Sequence, residues 1–159
     1  MSRPGSGLLV AVALAGVMAA CGGPTRLSKA DFVRRGNAIC QRMSNDLDTA
    51  LRGFTQNPTD PNTPDDVVRR EGRALVNAEP TVRTHLSELN KLHPPSDARH
   101  DWGRYLDQLD TAVKRYAALS GRLAGGDRHA ATELDSLSEI TTTGDAWART
   151  YGLNVCGQT

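Results

Sequence analysis

Aromatic residues are scarce: two Phe, two Trp and three Tyr make up 4% of this 159-residue chain. So few rings supply neither aromatic-rich strands nor base-stacking platforms, and the core is expected from Leu, Ala and Val at helical spacing. Lysine is confined to Lys29, Lys91 and Lys114 among 19 basic residues, and the formal net charge is only +1. A nucleic-acid binder carries a clustered basic surplus for phosphate contacts, so that class is excluded. Also missing are Cys-x-x-Cys and His-Glu-x-x-His metal motifs, a Gly-x-Ser-x-Gly nucleophile elbow and a phosphate-cradling glycine loop. The length provides material for one domain.

What the chain does have is one long uncharged run, at its start. Arg3 forms a short positive region, Leu8 to Ala20 form an apolar core, and Gly22-Gly23-Pro24 end any helix. Spanning a bilayer takes ~20 apolar residues, so this shorter core reads as a signal peptide over residues 1–20. Met18-Ala19-Ala20-Cys21 resembles the lipobox of bacterial lipoproteins, with Met18 where leucine is usual. The resemblance implies that Cys21 is lipidated and becomes the new N-terminus, followed by a short tether over residues 21–27. Removing residues 1–20 takes Arg3 with it and leaves 18 basic residues against 18 acidic ones.

Residues 28–157 read as the folded domain. Ser28 is placed to cap helix 1, with Asp31 at N3 and Leu27 and Phe32 as a hydrophobic staple. Phe32, Ile39, Met43, Leu47, Ala50 and Phe54 then advance by threes and fours, until Gly53 and the polar run from Asn57 to Pro64 end the helix. Thr63 is expected to cap helix 2, with Pro64 at its first position; the stripe is Leu75, Ala78, Val82, Leu86 and Leu89, and Pro80 predicts a kink. His93-Pro94-Pro95 closes helix 2, and Ser96 with Asp97 is expected to open helix 3, whose stripe runs from Trp102 to Leu123 before Gly125-Gly126. Asp127 is the expected cap of helix 4, with Leu134, Leu137, Ile140, Trp147 and Tyr151 on one face and a weak point at Thr141–Asp145. Four such segments with short connections predict an all-α fold, an antiparallel up-down-up-down four-helix bundle.

That topology places the start of helix 1 and the end of helix 4 together, so Cys40 and Cys156 can meet. An exported chain enters an oxidising compartment, which favours a disulfide between them over two free thiols. The chain also resembles a group of small actinobacterial lipoproteins and secreted proteins of uncharacterised function. The residues that carry this are Lys29-Ala-Asp-Phe-Val33, Asn37-Ala-Ile-Cys40, Leu92-His-Pro-Pro95, Trp102, Gly126-Asp127 and Tyr151-Gly-Leu-Asn-Val-Cys-Gly157. The resemblance implies a helical domain tied by Cys40 and Cys156, and it brings no activity with it.

Candidate chemistry is thin. His93 and His100 flank the Pro-Pro turn, and His129 with Glu133 shares a helix face, but no pattern builds a metal site, so surface histidines are the simpler expectation. Asp60 to Asp66 has oxygen ligands in sequence, yet Pro64 occupies a ligand position of a calcium loop. Asp107, Asp110, Glu133, Asp135 and Glu139 read as solvated faces, while Trp102, Trp147 and the tyrosines fill the core or line a small pocket. The expectation is a non-enzymatic bundle without cofactor or metal, held by Cys21 lipid on the outer face of the cytoplasmic membrane. It would serve as an interaction module, with another envelope protein as the candidate partner. The alternative is a small-ligand or metal-binding lipoprotein using a cleft at Pro80 or beside Thr141–Gly144.

Overall fold

The computed structural model describes residues 26–53, 58 and 60–158, and these are helical with no strand among them. The lipobox, Cys21 and Phe54 lie outside the described residues. The helices are α1 (Lys29–Ala50), α2 (Asp65–Asn90), α3 (Arg99–Ala124), α4 (His129–Asp135) and α5 (Ser138–Tyr151), followed by a 3₁₀ turn at Cys156–Gln158.

The start of α1 follows the expected local chemistry. The Ser28 side chain accepts from the Asp31 N–H at 3.1 Å, and its hydroxyl donates to Asp31 Oδ2 at 2.9 Å. Leu27 packs against the core, and its N–H donates to the His93 carbonyl at 3.0 Å, tying the beginning of α1 to the end of α2. Further along the same pair, Arg42 meets Glu88 at 2.6 Å and Asp46 meets His85 at 2.8 Å, so the two helices run antiparallel.

The helix starts of α2 and α3 differ from expectation. Pro64 takes the N-cap position of α2 with ψ 146°, an extended conformation, so helical dihedrals begin only at Asp65 and Thr63 stands before the cap. Arg128 donates to the Thr63 carbonyl and meets Asp65 Oδ1 at 2.6 Å, fastening this end to the base of α4. Ser96 and Asp97 do not open α3, because Pro95 to Ala98 first forms a turn in which the Ala98 N–H reaches the Pro95 carbonyl at 3.2 Å. Asp97 instead accepts the Tyr151 hydroxyl at 3.2 Å. Helix α2 continues unbroken through Pro80, whose ring is exposed; the Val76 carbonyl that loses its donor there lies on an equally exposed turn, open to water.

Close approach fixes how α2 and α5 meet α3. A Cβ on Gly72 would lie 2.2 Å from the Ala124 nitrogen, and one on Gly144 would lie 2.6 Å from Tyr105 Cδ2. These glycines let α2 and α5 lie directly on α3.

The fourth leg is broken, but earlier than Thr141–Asp145. The chain tightens at the α4–α5 joint, where Leu137 N–H bonds to the Leu134 carbonyl at 3.1 Å and Ile140 N–H to the Leu137 carbonyl at 3.0 Å. Ser136 Oγ donates to the Glu133 carbonyl at 2.8 Å, the local competition that disfavours serine within helices. Thr141 to Asp145 lies inside α5, because Gly144 supplies its contact with α3 and Thr141 and Thr142 bond back to the Ser138 carbonyl.

Five of the seven aromatic residues gather in one cluster. Phe32 meets Trp102 edge-on at 4.9 Å, Trp102 lies 5.6 Å from Tyr105, and Trp147 stacks on Tyr151 at 5.4 Å. Offset and edge-to-face ring pairs of this kind add ~0.5–1.5 kcal/mol beyond area burial. A second core cluster, built from Val68, Leu75, Leu119, Leu123, Ala130 and Ala131, fills the other end.

Candidate functional site

Between the two core clusters the helices do not close on one another. Helix α2 packs on α1 and α3, and α3 packs on α4 and α5, whereas α1 reaches α5 mainly through the C-terminal turn. The result is a groove of about 540 Å³.

Each wall follows from a stripe read in the sequence. Helix α1 contributes Cys40, Met43, Leu47 and, just past its end, Leu51; α2 contributes Val82, Leu86 and Leu89. Leu109, Ala112, Val113 and Tyr116 form the floor from α3. Leu137 at the α4–α5 joint, with Ser138 and Thr141 of α5, forms the facing wall, and Val155 and Gln158 complete it. Polar groups are confined to few positions: Gln41, Ser44 and Asp48 along exposed α1, then Ser138, Thr141 and Gln158 opposite. A concave, mostly apolar space with a few polar groups is the usual form of a small-molecule site.

The C-terminal strap, residues 152–158, borders this groove through Val155 and Gln158 and is anchored from several sides. Cys40 and Cys156 form a disulfide with a Cα–Cα distance of 5.2 Å, joining α1 to the strap. Asn37 clamps it further: Nδ2 donates to the Gly152 carbonyl at 3.0 Å, and Oδ1 accepts from the Val155 N–H at 3.0 Å. The buried Tyr105 hydroxyl donates to the Cys156 carbonyl at 2.9 Å, and Arg149 donates to the Gly157 carbonyl. Gly152, at φ 108°, turns the chain out of α5 in the left-handed region that glycine tolerates.

Tyr116 carries the perturbed titratable group of the groove. Its hydroxyl donates to the Leu75 carbonyl at 3.0 Å, and burial pushes its ionisation above the ordinary phenol value. At the other end of the molecule Tyr151 is also pushed up, first by burial and then by the Asp97 carboxylate that accepts its hydroxyl.

Several of the other acidic residues are held in ion pairs or turns. Glu133 and Asp127 are both held by Arg122, at 2.8 and 2.7 Å, and the Arg122 partner holds the Asp127 carboxyl below its usual range. Asp65 is lowered in the same way by Arg128. Asp60 accepts from the Asn62 N–H at 2.9 Å, so the acidic linker folds on itself as a turn. No group of three His, Cys, Asp or Glu residues able to hold a metal ion occurs among the described residues. The expectation of surface histidines fails at His85, which is 6% exposed because Asp46, 2.8 Å away, lets a polar ring enter the α1–α2 interface.

Asp48, Ala112 and the joint residue Leu137 were not singled out as site residues by sequence reasoning. Their common signal is position, at the edge of an apolar stripe or at a helix break. No family model, no curated protein and no solved structure matches the chain.

Proposed function

We propose that this protein is a lipid-anchored helical bundle of the outer face of the cytoplasmic membrane that binds a small, largely apolar molecule in the groove between its helices. The groove of about 540 Å³ lined from α1, α2, α3 and α5 carries this reading, since its size falls among small-molecule sites and its floor is hydrocarbon. The lipid on Cys21 is supported by the resemblance of Met18 to Cys21 to a lipobox, and the tether from Gly22 to Leu27 extends at most ~20 Å. A bundle held so close to a bilayer would take its ligand from, or deliver it to, that surface.

The reading is tested with an environment-sensitive apolar probe, N-phenyl-1-naphthylamine, titrated into the purified domain. Fluorescence should rise and saturate with one site per chain. Ala112→Trp, which fills the floor of the groove, should weaken the probe at least tenfold while helicity and melting temperature hold. Ala118→Trp, at an exposed position of the same helix, should leave binding as it was. Equal binding by both variants would place the probe elsewhere and reject the groove as the site.

A further inference from the structure

The groove is electrically one-sided. Among the described residues that line it Asp48 alone is charged, and no lysine or arginine is among them. Asp48 sits in the last turn of α1, which holds no basic residue and where unpaired backbone carbonyls concentrate partial negative charge. Its neighbour Asp46 is engaged by His85, but among the described residues Asp48 makes no ion pair, Arg52 included. An unpaired carboxylate at a helix C-terminus, on the lip of a hydrocarbon groove, is the arrangement that receives a cation carried on an apolar chain.

Resting on the groove as a ligand site, we infer that its ligand is an amphiphile with a cationic head, an alkyl chain bearing an ammonium group. The chain lies against Leu47, Leu86 and Val113, and the ammonium stands at Asp48. Ser44, one turn before Asp48 on α1, offers a hydroxyl to a polar group beside the charge. A carboxylate head would meet like charge at Asp48 and the helix end, with no cation among the described lining residues to offset it. Since Asp48 is exposed, its attraction is worth about fivefold in affinity at low salt and is screened as salt rises.

The test displaces the bound fluorescent probe with three ligands of one chain length, dodecylamine, dodecanol and dodecanoate, each below its micelle concentration at neutral pH. The amine should bind about fivefold tighter than the carboxylate, with the difference shrinking at high salt. Asp48→Asn should bring the two toward equality, and Asp48→Lys should reverse their order. Equal displacement by amine and carboxylate in the unaltered protein, or an order untouched by both Asp48 variants, would overturn the charge preference and leave the groove standing as an apolar site. Failure of all three chains to displace the probe would remove the groove reading and this inference together.

Discussion

At the scale of single residues, the polar atoms that matter are those placed where hydrocarbon surrounds them. Tyr116 illustrates this: its ring lines the groove while its hydroxyl satisfies the Leu75 carbonyl of α2. Burial favours the neutral phenol and raises its ionisation above 10.0, as it does for Tyr151. The unfolded chain therefore loses these protons first as pH rises. Their contribution to stability is complete below about pH 10, falls once the unfolded phenols ionise, and is gone when pH has passed the folded values. Chemical denaturation between neutral pH and pH 11 should show a steep alkaline decline, and Tyr116→Phe should flatten part of it. The same variant should lose ~1 kcal/mol at neutral pH with the Leu75 hydrogen bond. An alkaline slope identical in the two proteins would mean that Tyr116 titrates as a free phenol.

At the scale of elements, what was legible was what chemistry encodes locally. The Ser28 cap and the Gly125-Gly126 stop depend on neighbours a few residues away, and both were read from the sequence. At α4 Arg128 takes the cap position, and Asp127, expected there, stands one residue earlier and accepts from the His129 N–H at 3.0 Å. The start of α3 and the break in the fourth leg were misplaced because distant contacts decide them. Asp97 is drawn to Tyr151, and Gly144 is held helical by its seat on Tyr105. The groove was not located in the sequence: Pro80 is absent from its lining and the chain breaks before Thr141, and an opening is the lack of a partner for a stripe that looks the same either way. Glycines separate the two kinds of information sharply. Gly72→Ala would push a methyl into the α3 backbone near Ala124 and should cost ~1–3 kcal/mol through forced separation of α2 and α3. Gly103→Ala, inside α3 with open space around its Cβ, should gain ~0.5–1 kcal/mol. Paired urea unfolding curves check both signs, and equal effects would mean that helix propensity alone governs both sites.

At the scale of the whole molecule, the first and last elements meet at one end, where Phe32 and Lys29 of α1 contact the Tyr151 ring of α5, and are joined further by the covalent strap. The Cys40–Cys156 bridge spans 116 residues of sequence, so its loss removes up to ~5 kcal/mol in the chain-entropy view. Cys40→Ser and Cys156→Ser should lower the melting temperature equally, since each breaks the same bond, and unequal losses would argue against the pairing. Because Cys40, Val155 and Gln158 all belong to the groove wall, both variants should also weaken the apolar probe, which a purely stabilising staple would not do at temperatures where the fold persists. The third cysteine completes the account. If Cys21 carries lipid, the intact mass of protein taken from cells should show an acylated N-terminal cysteine, no free thiol and one disulfide. An uncleaved, unmodified N-terminus would sink the anchor while leaving the bundle, its strap and its groove to be judged on the other measurements. An acylated Cys21 together with a groove that accepts alkyl ammonium chains would join the two halves of the reading, an anchor that keeps the domain at the bilayer and a site that takes amphiphiles from it.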